Sequence, residues 1–255
     1  MDVSRYRWNG SELIDNSDAH PVPLYVADSF RLTNGQVVAL DKHISRFVDS
    51  AHQQGLLRPF DDFLDAALAA LPRSGDYFPR IDLTQRGELE LHIRPTPPLA
   101  DSLVLATAAQ DPRTEPTIKG PDIPALNQLR EQALEAGASE ALILDGQGRI
   151  VDGATTCLVW FDGDTLFTPP AEALRVASVT VEVVQTMARS RGYDVATAWA
   201  TPAELVGKTL WALNALHGIR QVTGWLGGPE LATDDEMLAQ WRANYQSLAA
   251  PLPEV

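Results

Sequence analysis

The chain has 255 residues, of which 45% are hydrophobic, so it can bury a sizeable core in one large domain or two smaller ones. Its 20 basic and 34 acidic residues give a net charge of -14, which argues against nucleic acid and against an anionic membrane surface as partners. The first residues show no basic segment followed by an apolar one, and no apolar run approaches membrane-spanning length, so the sequence predicts a cytoplasmic protein.

The first hundred residues alternate between strand patterns and helix patterns. Two strand-like runs flank the turn signal Thr33-Asn34-Gly35, which predicts a hairpin. Helical periodicity follows over residues 41–55 and 59–72, and strand patterns return at 88–94 and 102–109. This order predicts an antiparallel sheet with helices, which is an α+β arrangement.

A proline-rich junction follows at residues 110–124, where four prolines exclude a helix and a central strand. The junction predicts an N-terminal α+β domain over residues 1–112, a linker over residues 113–124 with Lys119 near its end, and a C-terminal domain over residues 125–255.

The second half carries helix patterns and paired strand patterns. The strand patterns cover residues 141–145, 150–153, 155–161 and 165–169, with a further strand-turn-strand pattern over 210–225. Helix patterns cover residues 125–137, 178–191 and 233–248.

Most common catalytic motifs are missing from the sequence. There is no Gly-x-Ser-x-Gly elbow, no Walker loop, no His-Glu-x-x-His and no dinucleotide glycine fingerprint. The five histidines show no ligand spacing, and Cys157 is the only cysteine, so no metal site is expected. Cys157 stands in an apolar strand pattern, which favours a buried small hydrophobic side chain over a nucleophile.

Lysine is rare in this chain, which contains only Lys42, Lys119 and Lys208. Unlike arginine, lysine can lose its proton and attack an aldehyde to form an imine. Lys119 lies in the proline-rich junction, where a loop could place it in a cleft. Composition alone leaves two interpretations open, a catalytic lysine and an ordinary exposed loop lysine.

Three segments in order resemble the class IV aminotransferases, the family of branched-chain and D-amino-acid aminotransferases and of aminodeoxychorismate lyases. They are RLTNGQVVALDKHISRF, then ASEALILDGQGRIVDGATTCLVWFDGDTLFTPP after Lys119, and finally LWALNALHGIRQV. The resemblance implies the two-domain α+β fold of that family, similar to D-amino-acid aminotransferase. It also implies pyridoxal phosphate in the cleft between the domains, a small amino substrate and a homodimer.

The resemblance also implies site residues. Lys119 would hold the cofactor as a Schiff base and shuttle the substrate's α-proton, and Arg46 would bind the cofactor phosphate, with His43 at a matching position. The phosphate would also meet the start of a helix and a turn, which correspond to Ala177 and Ser178 and to Asn214 and Ala215.

Several positions depart from the family pattern. The family glutamate that pairs with the pyridine nitrogen is here Asp152, and the asparagine that follows is Cys157. The Gly-Ile-Thr-Arg turn before the long helix is here VASV, and the tyrosine- and glycine-rich segment before the first hairpin is shortened. The altered turn bears on the details of phosphate binding, and the substrate pocket is the part least transferable from the family.

The resemblance leaves three functions open. The turn in NALHGI is more similar to the lyases and favours elimination of pyruvate from aminodeoxychorismate to give 4-aminobenzoate. The segment HIRP is similar to a strand of the branched-chain enzymes, which makes Arg94 a candidate carboxylate ligand and favours transamination. A non-catalytic relative is the third hypothesis.

Overall fold

A computed structural model describes residues 3–18 and 20–254 of the chain. Its β-strands are β1 (Ser4–Trp8), β2 (Leu13–Asp15), β3 (Leu24–Ser29), β4 (Leu32–Thr33), β5 (Gln36–Val38), β6 (Asp76–Tyr77), β7 (Arg80–Thr84), β8 (Leu89–Ile93), β9 (Ser102–Thr107), β10 (Glu140–Leu144), β11 (Ile150–Gly153), β12 (Cys157–Asp162), β13 (Thr165–Thr168), β14 (Asp194–Thr197), β15 (Thr209–Asn214), β16 (Gly218–Leu226) and β17 (Ala249–Pro251). Its α-helices are α1 (Leu40–Gln53), α2 (Asp61–Ala70), α3 (Ile123–Glu135), α4 (Val179–Ser190) and α5 (Asp235–Ser247). In this described part of the chain, no helix is both long and apolar enough to cross a membrane.

The chain forms two compact units, and each is built from more than one segment. The first unit comprises Met1–Leu99, Ile118–Pro121 and Leu248–Val255, and the second comprises Ala100–Thr117 and Asp122–Ser247. This partition differs from the predicted domains 1–112 and 125–255. Strand β9 belongs to the second unit because it pairs in parallel with β10 and β16, and β17 belongs to the first because it pairs with β5.

The segment Ile118–Pro121 also differs from the predicted linker, because it is part of the first unit's core. The side chain of Ile118 is buried in that core, and the Lys119 carbonyl accepts a hydrogen bond of 2.7 Å from the amide of Ala27 in β3. Lys119 is therefore carried by the first unit and not by the predicted linker.

The first unit contains two antiparallel sheets. One has the strand order β2-β1-β8-β7-β3 and the other β17-β5-β4-β6. The hairpin predicted at Asn34-Gly35 joins β4 to β5, and both residues adopt the positive φ that a two-residue turn of this kind requires. Helices α1 and α2 bury their apolar faces in the core of the unit, as the periodicity predicts.

The second unit contains one mixed sheet with the order β11-β10-β9-β16-β15-β12-β13-β14. Its antiparallel pairs β10/β11, β12/β13 and β15/β16 are the predicted hairpins, and parallel pairs join β9 to its neighbours and β13 to β14. Helix α3 packs on β10, α4 on β14 and β15, and α5 on β16. The predicted α+β class is thus confirmed.

Candidate active site

In the first unit, one buried aspartate joins the two residues of the His-x-x-Arg segment. Asp28 in β3 is fully buried and accepts hydrogen bonds from Arg46 Nε at 2.7 Å and Nη2 at 2.9 Å. Asp28 Oδ1 lies 2.8 Å from His43 Nδ1, and we assign the proton to that nitrogen because a carboxylate oxygen can only accept. His43 and Arg46 are three residues apart in α1, so one helix face presents both to the strand.

The charges of this cluster are set by burial and by close partners. Burial alone would raise the pKa of Asp28, but the Arg46 guanidinium and the His43 hydrogen bond outweigh it and hold that pKa well below its ordinary value. Burial lowers the pKa of His43, and the nearby positive charges of Arg46 and Lys119 lower it further against the pull of Asp28. Asp28 is therefore an anion, and burial favours the neutral form of His43.

Lys119 lies beside this cluster on a chain segment with little freedom. Its side chain is half-buried and its carbonyl is tied to β3, as described above. The next residue, Gly120, has φ +144, and a Cβ there would stand 2.8 Å from the Cα of Val26. The close approach of the two backbones therefore requires glycine and fixes where the lysine side chain begins.

We predict that Gly120→Ala destabilises the cofactor-free protein by more than about 1 kcal/mol, because the new methyl group meets backbone that cannot move aside. The matched control is Gly87→Ala, since Gly87 also has a positive φ but no atom within 4 Å of the added Cβ. Urea unfolding of both variants measures the difference. Equal losses would show that the cost comes from backbone conformation and not from the contact with β3.

Arg94, the candidate carboxylate ligand, follows β8 in the first unit. Its Nε donates to the Phe78 carbonyl at 2.9 Å, its Nη2 donates to Ser29 Oγ at 3.2 Å, and its guanidinium stacks 4.9 Å from the Phe78 ring centre. Burial lowers its pKa to about 10, and the Arg80 charge contributes in the same direction. The side chain is thus a fixed, half-buried cation.

Next to Arg94 lies a network of ionisable side chains on β7 and β8. Asp82, Glu90 and His92 have ligand-type atoms within 4.8 Å of one another. His92 Nε2 lies 3.0 Å from Glu90 Oε2, and Arg80 donates to Asp82 Oδ2 through Nε at 2.9 Å and Nη2 at 2.7 Å. The charge of Arg80 offsets that of Asp82 within this hydrogen-bonded network.

In the second unit, Asp152 is a buried carboxylate with one unsatisfied oxygen. It lies in β11 with 7% of its surface exposed, and in the described structure its Oδ1 is buried without a hydrogen-bond partner. Burial raises its pKa to about 6, against the opposing Arg175 charge and a hydrogen bond from the Cys157 thiol. Burial also raises the pKa of that thiol to about 12, so Cys157 is a donor and not a nucleophile.

We predict a distinctive pH dependence from Asp152 in the cofactor-free protein. Because its folded-state pKa lies above the ordinary value of 3.8, the folded protein binds this proton more tightly than the unfolded chain. The resulting stabilisation is complete below about pH 4 and is lost as the pH rises through about 6, a change of about 3 kcal/mol. The variant Asp152→Asn should lack it, whereas Asp164→Asn, at an exposed site, should keep it. Urea unfolding across this range measures the difference, and identical profiles for Asp152→Asn and the unchanged protein would contradict the assignment.

The four predicted phosphate-binding residues lie where helix α4 begins and where β15 ends. Ser178 is the N-cap of α4 and its Oγ accepts a bond of 3.2 Å from the amide of Val181, while Ala177 precedes it on the surface. Asn214 ends β15, and Ala215 follows it, half-buried, in the turn to β16. A helix N-terminus offers amide donors to an anion, so this part of the second unit suits a phosphate.

Asn214 also fixes the loop that follows Asp152. Its Nδ2 donates to the Thr155 carbonyl at 3.1 Å, and its Oδ1 accepts from the amide of His217 at 2.8 Å. Glu140 is fully buried and accepts from the amide and the hydroxyl of Thr155. The loop between Asp152 and Cys157 is thereby held from both sides.

The sequence interpretation missed Arg175 and Arg113 beside Asp152. Arg175 lies in the loop before α4, and Arg113 lies in the proline-rich junction, where it pairs with Asp111 and donates to the Leu174 carbonyl. Leu174 has a positive φ, which is uncommon for a residue other than glycine and is found most often at functional sites. An arginine next to the VASV turn was the only available signal, and it carries no information about its partner.

The chain resembles known proteins in sequence and in fold. The model of the amino-transferase class IV family matches residues 25–225. A protein of Methanocaldococcus jannaschii, provisionally named a branched-chain-amino-acid aminotransferase, is 28% identical over 193 residues, which are 67% of this chain and 67% of that protein. The fold IV transaminase CpuTA1 of Curtobacterium pusillum has a TM-score of 0.82 at 16% identity, covering 96% of this chain and 99% of the other. A hypothetical aminotransferase of Mycobacterium tuberculosis in its PLP-bound form has a TM-score of 0.77 at 15% identity, covering 97% and 98%.

Proposed function

Because this chain belongs to the amino-transferase class IV family, we propose that it is a pyridoxal-phosphate-dependent aminotransferase that moves the amino group of an amino acid to a 2-oxo acid. The observation that carries the proposal is the buried Asp152 Oδ1, which has no partner among the described residues. A buried carboxylate oxygen costs free energy unless a donor meets it, and the protonated nitrogen of a pyridine ring is such a donor. Asp152 stands at the position of the family glutamate.

The cofactor supplies an aldehyde that exchanges amino groups and a protonated ring that withdraws negative charge from the substrate's α-carbon. The chain's own residues supply binding and proton transfer. Lys119 Nζ would hold the cofactor through its aldehyde and would carry the α-proton of the substrate. Its backbone is fixed to β3, and its charge lies close enough to His43 to act on that imidazole.

Phosphate binding is assigned to Arg46 and to the two amide-rich turns. Asp28 accepts hydrogen bonds from Arg46 Nε and Nη2 and so orients the guanidinium. Asp28 balances the charge of Arg46, and the amides that begin α4 are suited to an anion on their own. Arg94 would receive a substrate carboxylate, because it is a fixed cation with a planar, bidentate donor geometry.

Aminodeoxychorismate lyase activity is the second candidate, favoured by the sequence of the turn from Asn214 to Gly218. Supplying amino acids with 2-oxoglutarate and measuring glutamate tests transamination, and supplying aminodeoxychorismate and measuring pyruvate tests the lyase. Glutamate formation alone supports the aminotransferase, and pyruvate release without amino transfer would replace it with the lyase. If added pyridoxal phosphate produces no visible absorption band, the chain is a non-catalytic relative.

Light scattering of the same preparation tests the expected homodimer.

A further inference from the structure

Glu140 at the start of β10 is a fully buried carboxylate that the proposed chemistry does not use. Its Oε1 accepts from the amides of Ala141 at 3.1 Å and Thr155 at 3.2 Å, and its Oε2 accepts from the Thr155 hydroxyl. Arg220 Nη2 lies 3.9 Å from Oε2 and supplies a counter-charge. The rest of β10 is apolar, and an apolar side chain here would avoid the free-energy cost of burying a charge. The contacts of Glu140 therefore indicate a role beyond the strand itself.

The contacts of Glu140 converge on Thr155, an exposed residue in the loop between β11 and β12. Both its amide and its hydroxyl donate to the Glu140 carboxylate, so an exposed loop is anchored to a buried group. The loop is also tight. The Gly153 amide donates to the Thr156 carbonyl at 2.7 Å, and a Cβ at Gly153 would stand 2.4 Å from Thr156 Oγ1. Because Gly153 directly follows Asp152, the anchored loop constrains the backbone that carries the Asp152 carboxylate.

The carbonyl of Thr155 is bound to the turn between β15 and β16. It accepts from Asn214 Nδ2 at 3.1 Å, and Asn214 Oδ1 accepts from the His217 amide at 2.8 Å. Both polar atoms of the Asn214 side chain are thus engaged, one with the loop and one with the turn that contains Ala215. A continuous chain of hydrogen bonds connects the buried Glu140 carboxylate to the His217 amide.

We infer that Glu140 is a positioning residue that holds the loop after Asp152 and the turn at Asn214 in one fixed arrangement. Its carboxylate fixes Thr155, and Thr155 contacts both segments. Only the consequence for the cofactor rests on the proposed function. Under that function Asp152 meets the ring nitrogen and the turn meets the phosphate, so a displaced Thr155 would weaken both contacts together.

Amide hydrogen exchange of the full, cofactor-free chain tests the connection. Glu140→Leu removes both acceptor oxygens and should accelerate exchange of the Thr155 amide by about tenfold or more, the weight of a hydrogen bond to a charged group. The His217 amide should also exchange faster, by a smaller factor. Glu140→Gln retains one acceptor oxygen and should restore most of the protection. The matched control is Asp145→Asn at the other end of the β10/β11 hairpin, where a carboxylate also accepts from backbone amides. It should leave the amides of Thr155 and His217 unchanged.

Two results would overturn the inference. One is an unchanged His217 amide in Glu140→Leu, and the other is an equal acceleration of the amides of β12, which a general loss of stability would produce. If Glu140→Leu does not fold, Thr155→Val decides, because it keeps every charge and removes only the hydroxyl donor. Faster exchange at His217 in that variant supports the connection, and unchanged exchange overturns it.

Adding pyridoxal phosphate separates the inference from the proposed function. A missing visible band in the unchanged protein rejects the function and leaves the exchange result standing. If the band forms, Glu140→Leu should bind the cofactor about tenfold more weakly or worse. An unchanged affinity would reject the role of Glu140 toward the cofactor and leave the proposed function intact.

Discussion

Lys119→Ala is expected to lose the visible absorption band of bound pyridoxal phosphate and to lower the aminotransferase rate by at least about 10²–10⁴-fold, the contribution of a positioned acid-base group. The loss of the covalent attachment adds to that factor. Lys119→Arg should behave in the same way, because arginine keeps the charge and the length but does not lose its proton. Absorption spectroscopy and the glutamate assay measure both effects.

Lys208→Ala is the matched control for this prediction. Lys208 lies in the second unit and forms an ion pair with Asp162, whose side chain is 60% exposed. Lys208 is assigned no role in the reaction. Its replacement should leave the band and the rate nearly unchanged. A band that persists in Lys119→Ala and disappears in Lys208→Ala would move the covalent attachment to the second unit and refute the assignment.

Asp28→Asn is expected to lower the free energy of unfolding by about 3–5 kcal/mol, which is typical when one member of a buried ion pair is removed. Asp28 is fully buried and accepts from Arg46 and His43, so the variant removes the carboxylate charge that pairs with the half-buried Arg46 guanidinium. Urea unfolding of the cofactor-free protein gives the magnitude. Hydrogen exchange should place the loss of protection in β3 and α1, the elements that the cluster joins.

The control for this second prediction is Asp49→Asn, an exposed position on the same helix. Exposed substitutions of this kind change stability by about 0.5 kcal/mol or less. If Asp28→Asn and Asp49→Asn cost the same, the cluster contributes no net stability, and its role would be confined to holding Arg46 in place. The affinity of Asp28→Asn for pyridoxal phosphate tests that second role. It should fall if Arg46 is displaced and stay unchanged if Arg46 keeps its place.

The local elements were predictable because their signals lie within a few residues of one another. The Asn34-Gly35 turn needs two residues that tolerate positive φ, and α1 needs apolar residues at helical spacing, which His43, Phe47 and Ala51 provide. The hairpins β10/β11, β12/β13 and β15/β16 follow from the same kind of pattern. The resemblance to the family supplied the roles of Lys119, Arg46 and Asp152, which remain predictions.

Pairings between distant segments were not predictable. The sequence of strand β9 has the alternating pattern of any half-buried strand. Nothing in its residues indicates that it pairs with β16, more than a hundred residues later. The strands β1 and β17 have weak patterns, and their hydrogen bonds are completed by the distant strands β8 and β5. The boundary between the units therefore differs from the one that the prolines suggest.

The sequence by itself determined the main helices, the hairpins and the family, because periodicity, turn chemistry and ordered motifs lie within short stretches of the chain. Only the tertiary structure decided the partners of the charged side chains. Asp28 meets Arg46, and Arg175 acts on Asp152, because strands and loops far apart in sequence are brought together when the core is buried. Burial then sets the free-energy cost of each charge, and that cost depends on neighbours that no local pattern specifies.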